Sequence, residues 1–226
     1  NLLIRWIKTV SQIILQGYNS DLLFVNGLPM ESYVANIFTR KKLIRKIVGD
    51  WAWERGMNKK IINESFDEFQ NNKHNLHLEI AKFSRGWTAT KADLIITPSN
   101  HLKNVVKGWG VKENRIKVIY NGTKLKNKPD PIDDQTNDYF KIITVGRLAP
   151  WKNIDIIIEA LSDYKKANQN FIFYIVGSGP EEIKLKKLVK ELDLENFVTF
   201  TGQLEKDDLN LYLQKSDIYI QASSYE

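Results

Sequence analysis

The 226-residue chain has no cysteine, which excludes disulfides and thiolate metal sites and fits a reducing cytoplasm. Its only imidazoles are His74, His77 and His101. His74 and His77 have a spacing that would suit one helical face, but the neighbouring Asn72, Lys73 and Asn75 read as an exposed turn. No metal site is expected there. No run approaches the roughly 18 uninterrupted apolar residues of a membrane span, and nothing resembles a secretory cleavage signal. A full dinucleotide fingerprint is missing too. VGSGPEE carries Gly177 and Gly179, but the third glycine position of G-x-G-x-x-G is Glu182, so a nicotinamide cofactor is not expected. The first residue is not methionine, and the sequence stops at Ser224, Tyr225 and Glu226 directly after a strand-like run, so both ends read as cut and a fragment is expected.

Hydrophobic residues make up 42% of the chain, enough for a core in each of two ordinary domains. The net charge of +6 is unevenly spread: residues 1–121 hold 19 Lys and Arg against 10 Asp and Glu, residues 122–226 hold 14 against 17. A basic first half suits an anionic surface, an anionic acceptor or nucleic acid, and it is equally read as a solvated face.

Periodicity alternates between helix and strand. Residues 2–15 place Leu3, Trp6, Ile7, Val10, Ile13 and Ile14 on one helical stripe, with Arg5, Lys8 and Gln12 off it. DLLFVNG then reads as a buried strand, followed by a helix around Glu31 to Lys42, the strand LIRKIVGD, a polar segment and a helix from about His77 to Ala92. DLIITPS, HLKNVVKGWG and RIKVIYNG continue as strand, helix and strand. KLKNKPDPIDDQTND, with two prolines and almost no apolar content, reads as a linker. After it FKIITVG, FIFYIVG, NFVTFTG and DIYIQAS are strands separated by three helices. The expectation is α/β: a layered domain over 1–121, a linker over 122–139 and a doubly wound domain over 140–226, the first incomplete at its start and the second at its end.

Chemistry-bearing residues gather after the later strands. In TVGRLAPWKNID, Gly146 ends a strand, Arg147 and Lys152 flank a turn, and a helix opens near Asn153. A guanidinium fork and an ammonium beside a helix start would neutralise a diphosphate, although a surface Arg and Lys in a loop is an equal reading. In VGSGPEEIKLKKL, Pro180 and two acidic residues make a good helix start with or without a ligand. VTFTGQL and the closing SSYE add Gly202, Gln203, Leu204 and Glu226. Each is individually weak: a turn glycine and a solvated carboxylate are the plain readings.

Taken in order, VIYNG, VGRLAPWKNID, IVGSGPEE, VTFTGQL and the closing S-S-Y-E resemble family four of the nucleotide-sugar glycosyltransferases over nearly the whole chain. The resemblance implies the GT-B architecture, two Rossmann-like domains facing each other across a cleft. It implies that Arg147 and Lys152 act catalytically, holding the donor diphosphate and stabilising the leaving group, and that Gly202, Gln203 and Leu204 meet the base through their backbone. Glu226 matches the first acid of the family's E-x7-E motif, near the donor sugar. Gly146, Asn153, Gly177 and Gly179 complete the expected donor-binding set. Transfer with retention of configuration, without metal or cofactor, is likewise implied.

IVGDWAWER, at residues 47–55, resembles a G-D-x-A-W-E-R segment found in part of the family, with Phe69 and Gln70 as its later F-Q. Asp50, Trp51, Glu54 and Arg55 are the acceptor-side candidates. Asp50 stands where many members have a histidine, and packing anchors (Trp51 and Trp53) with a Glu54–Arg55 pair is the competing reading.

The leading expectation is transfer of a hexose-type unit from a nucleoside-diphosphate sugar to a saccharide or lipid-linked acceptor, in cell-surface polysaccharide or glycoconjugate synthesis. Location in the cytoplasm, peripheral on the inner face of the cell membrane, rests on the basic first half and the helix at 2–15. That helix is open to two readings, an interfacial helix or a cover packed on the sheet. A nucleic-acid-binding protein is the alternative from another class, but no recognisable nucleic-acid motif accompanies the scattered basic residues, so no nucleic-acid partner is expected. A noncatalytic nucleotide-binding module is the third reading.

Overall fold

The computed structural model describes residues 2–122 and 139–225; Glu226 and most of the expected linker lie outside the described residues. The chain divides into two compact units, Asn1–Gly56 with Phe66–Lys124 and Met57–Ser65 with Leu125–Glu226.

The first half runs α1 (Leu2–Tyr18), β1 (Leu22–Val25), α2 (Pro29–Thr39), β2 (Lys42–Lys46), α3 (Trp51–Asn58), α4 (Phe66–Asn71), α5 (Leu76–Thr90), β3 (Leu94–Thr97), α6 (Asn100–Gly108) and β4 (Ile116–Val118). Its strands form one parallel sheet in the order β1-β2-β3-β4, with Leu23 opposite Leu43 and Ile95 opposite Ile116. Buried Leu43 and Ile95 hold its middle. Local chemistry starts the helices as the residue types suggest. Asn75 accepts from the Leu78 amide at 3.1 Å to cap α5, and Ser99 accepts from the Leu102 amide at 3.1 Å to cap α6. The polar segment between β2 and α5 differs from expectation, because it holds α3 and α4. Both are too short to show a helical period, and they form because Trp53, Phe66 and Phe69 are buried, with Trp53 edge-on to Phe66. His74 is not in an open turn either. Its side chain is buried against the Phe69 ring at 4.6 Å and lies 3.5 Å from Glu79.

The second half runs β5 (Phe140–Val145), a 3₁₀ turn (Pro150–Lys152), α7 (Ile154–Ala167), β6 (Phe171–Val176), α8 (Glu182–Glu191), β7 (Val198–Gly202), α9 (Lys206–Gln214) and β8 (Ile218–Tyr219). The order β7-β6-β5-β8 is again parallel. Ile142, Ile158, Phe171, Phe173 and Leu194 are central to the core. Both sheets share one device at a strand entrance. Asp93, just ahead of β3, accepts from the Leu43 amide at 2.7 Å, and Asp217, just ahead of β8, accepts from the Lys141 amide at 2.7 Å. Each carboxylate thereby sets the register of its strand against the neighbour.

A buried polar network fixes the start of α3. Asp50 is completely buried, with one carboxylate oxygen 3.0 Å from the Ala52 amide at the head of α3. Its other oxygen accepts from Gln70 Nε2 at 3.0 Å and pairs with the Arg85 guanidinium. Gln70 Oε1 accepts from both Arg85 and the Trp109 indole, each at 3.0 Å. The guanidinium also lies 4.4 Å from the Trp109 ring. Burial pulls the Arg85 pKa down to about 9, so the group still carries its proton at neutral pH. A lone buried carboxylate or guanidinium would be very costly, so each member needs the others. Asp50→Ala is expected to lower stability by about 3–5 kcal/mol in urea denaturation, and adding Arg85→Met should recover part of that loss by removing the orphaned charge. An unchanged urea midpoint for Asp50→Ala would remove this role.

Candidate donor and acceptor sites

The second sheet changes direction of winding at β5: its chain continuation leads to β6 on one side, while β8 joins later on the other. In open parallel sheets the crevice outside the carboxyl ends at such a point is the ordinary ligand position. The strand ends there carry the cationic turn. β5 ends at Val145, and the chain continues beside the exit of β6 through three backbone bonds. The Gly146 amide donates to Val176 O at 2.9 Å, Leu148 to Ser178 O at 3.0 Å and Glu181 to Leu148 O at 3.0 Å. Leu148 and Ala149 are buried while Arg147 between Gly146 and Leu148 is exposed, so the anchoring of its neighbours presents the guanidinium outward. It lies 5.0 Å from the ring of buried Trp151, a cation–π contact that limits where it swings.

Lys152 ends the 3₁₀ turn, its amide donating to Ala149 O at 3.0 Å. Its Cε lies 4.0 Å from where a Cβ on Gly146 would sit, so the lysine stem passes over that glycine. Gly146, Arg147 and Lys152 are therefore brought together. Asn153 adopts φ 48° and ψ 40°, a left-handed conformation that asparagine tolerates better than most residues. It makes no side-chain cap on α7; its amide donates instead to Ala222 O at 2.9 Å, beyond β8. Ser224 completes that junction, its amide reaching Trp151 O at 2.9 Å.

Gly177 and Gly179 sit on the β6 side, and the structure accounts for them without a ligand. A Cβ at 177 would run into the Gly146 carbonyl, and one at 179 into the Leu148 carbonyl. Both glycines therefore let the cationic loop lie directly on the β6 exit. Gly202, at φ 71°, ends β7 and accepts from the Gly177 amide at 2.8 Å, which aligns the third strand end with the other two. Gln203 is exposed and Leu204 half-buried beyond it. Every expected donor-side residue but one thus lies along a single edge of one sheet. Glu226 is that one, and it lies outside the described residues.

On the first half, the acceptor-side residues separate. Asp50 has no exposure, and its oxygens are occupied by α3, Gln70 and Arg85, so direct contact with an acceptor is not open to it in this arrangement. It positions α3 instead. Trp53 is buried as an anchor, whereas Trp51 and Glu54 are half-buried and Arg55 is exposed along α3. The asparagine bridge to Ala222 and the Asp50–Arg85 pairing were not visible from residue patterns, because both join positions far apart in the chain.

Comparison with known proteins identifies the family and the fold. Residues 3–127 match the model for Glycosyltransferase Family 4, and residues 127–226 match that for Glycosyl transferases group 1. An uncharacterized glycosyltransferase of Methanocaldococcus jannaschii is 31% identical over 139 residues, 59% of this chain and 35% of that protein. The alpha-monoglucosyldiacylglycerol synthase of Acholeplasma laidlawii is 28% identical over 114 residues, 49% of this chain and 29% of that protein. The chain thus spans about a third of the length of these curated relatives. Among solved structures, Anabaena HepE in complex with UDP and glucose superposes with TM-score 0.71 at 21% identity, covering 95% of this chain and 56% of that one. Sucrose-phosphate synthase from Thermosynechococcus elongatus gives 0.74 at 20%, covering 100% and 56%. The fold is that of GT-B glycosyltransferases, with two parallel sheets, and the chain belongs to glycosyltransferase family 4.

Proposed function

We propose that the protein to which this chain belongs transfers a sugar from a nucleoside-diphosphate donor to a saccharide or lipid-linked acceptor. The observation that carries the reading is the pairing of Arg147 and Lys152 at the carboxyl end of β5, beside the switch in winding. Cleavage of the bond between the anomeric carbon and the β-phosphate oxygen leaves its electron pair on that phosphate. Fixed cations there stabilise the transition state more than the ground state. The oxygen of the acceptor hydroxyl bonds to the anomeric carbon, and its proton passes to the departing diphosphate. Two cations supply the charge a metal would otherwise provide, so the reading requires neither metal nor cofactor. Retention of configuration is carried over from the family. Gln203 and Leu204 would face the base through their backbone, and Glu226 would approach the sugar. Trp51, Glu54 and Arg55 on α3 would meet the acceptor. UDP-glucose is the first donor to try, since HepE was solved with it.

A lipid-linked acceptor would bring the enzyme to the inner membrane face, in glycoconjugate or polysaccharide synthesis. One support is the relative from Campylobacter jejuni named as an N-acetylgalactosaminyltransferase acting on a diphospho-undecaprenol glycan, 29% identical over 68% of this chain and 41% of that protein. Another is the surface of the first half. α1 packs along α2 and buries Val10 and Gly17, yet Leu2, Leu3, Ile4 and Ile7 are exposed beside Arg5 and Lys8. Leu76, Ile80 and Phe83 form a second exposed stripe on α5. Apolar side chains flanked by cations suit an anionic headgroup layer. No helix among the described residues is long and apolar enough to cross a membrane.

In the full-length protein, Arg147→Ala and Lys152→Ala are each expected to lower kcat by about 10²–10³-fold with little change in melting temperature. Unchanged turnover in both would sink the assigned chemistry. Sedimentation should show stronger binding to vesicles containing anionic lipid than to neutral ones, weakened by Ile7→Ser and Phe83→Ser. Equal binding to both vesicle types would remove the membrane surface.

A further inference from the structure

The side chain of Asn153 does something that neither its left-handed backbone nor its place before α7 requires. A residue at the head of a helix ordinarily turns its side chain onto the first-turn amides. Here the carboxamide turns away and donates to Ala222 O, 69 residues later in the chain. The contact does not stand alone. The Ser224 amide donates to Trp151 O at 2.9 Å and the Ser224 hydroxyl to the same oxygen at 3.3 Å. Three hydrogen bonds thus join the turn holding Lys152 to the chain leaving β8. Regular pairing cannot do this work, because the β5–β8 ladder covers only Ile142 with Ile218 and Ile143 with Tyr219. Ile220 reaches Ile143 O at 2.9 Å, and among the described residues no ladder pair of these two strands follows it. The junction spans the point where the sheet changes direction, which is where the donor is proposed to sit.

We propose that Asn153 is a positioning residue: its carboxamide ties the cationic turn to the segment 222–225, so that Lys152 and that segment keep one spacing along the donor. This rests on the diphosphate reading of Arg147 and Lys152. A diphosphate and the sugar attached to it have a fixed separation, so the groups meeting them must share a rigid frame. A displacement of about 1 Å away from the reacting atoms is enough to cost about a hundredfold in rate. Asparagine suits the position twice over. It tolerates the left-handed backbone, and its amide reaches a carbonyl that glycine would leave without this donor.

The test uses the full-length protein with Asn153→Gly, which accommodates the left-handed backbone and removes the carboxamide side chain, and Asn153→Asp, which sets a carboxylate oxygen against the Ala222 carbonyl. Hydrogen exchange at the Ser224 amide should quicken about tenfold in Asn153→Gly, the loosening expected when one net hydrogen bond is lost, while β5 and β6 amides keep their protection. UDP affinity by calorimetry should stay within about threefold of the parent, since diphosphate contacts remain, while kcat falls at least tenfold and further in Asn153→Asp. Unchanged Ser224 exchange in Asn153→Gly, or a kcat within twofold of the parent, overturns the proposal. Arg147→Ala separates the two readings. If it keeps full UDP affinity, the diphosphate assignment is wrong whatever Asn153 does. If it loses UDP while Asn153→Gly leaves Ser224 exchange untouched, the diphosphate site stands and the positioning role falls.

Discussion

The close approach of two backbones, at the exits of β5 and β6, underlies the cationic turn of the second sheet. The Gly146 and Leu148 carbonyls occupy the space that side chains at 177 and 179 would need, so the two loops lie against each other with only main chain between them. Hydrogen bonds then run in both directions across the contact. A loop held this way has little freedom left. The exposed Arg147 guanidinium is accordingly a side chain on a rigid mount, with Trp151 beneath it and the Lys152 stem crossing Gly146. The leaving-group stabilisation proposed for this turn would be strongest if its donors need not reorganise during the reaction, and a main-chain contact without intervening side chains suits that condition.

The first half reaches rigidity by different means. Its central polar cluster joins a buried carboxylate and a buried guanidinium to a half-buried carboxamide and indole N–H, drawn from four separate segments. Ionised groups without solvent tolerate little displacement, so the cluster holds α3, α4, α5 and the end of α6 to one arrangement. α3 is short and would not be stable alone, and Asp50 gives its first amides an acceptor. One half thus relies on the absence of side chains and the other on their complementarity. Each presents exposed groups from an immobile base, Arg147 in one and Arg55 in the other.

Much of the architecture was legible. Continuous apolar runs such as FIFYIVG imply strands covered on both faces, and their alternation with longer amphipathic stretches implies parallel sheets; both sheets followed. Asn75 and Ser99 cap their helices through local interactions, a signal that reading Asn75 as part of an exposed turn passes over. α3 and α4 were missed because helices of eight and six residues carry too few turns to show a period. DIYIQAS suggested a longer strand than the two residues of β8, since a run of apolar residues does not say how far a neighbour will pair with it. Asp50 showed the same gap: its residue type suggested an acceptor contact, and burial turned it inward.

What the amino-acid order determined by itself is what near neighbours in the chain control: the type of most elements, the parallel α/β class, the helix starts, and the nearness of Arg147 to Lys152 within one turn. Tertiary structure alone decided that Gly177 and Gly179 serve backbone contact, that Asp50 pairs with Arg85, and that Asn153 reaches Ala222. The physical reason is chain separation. Periodicity and capping act over a few residues, whereas these contacts join positions tens of residues apart and come to exist only after the sheets have assembled.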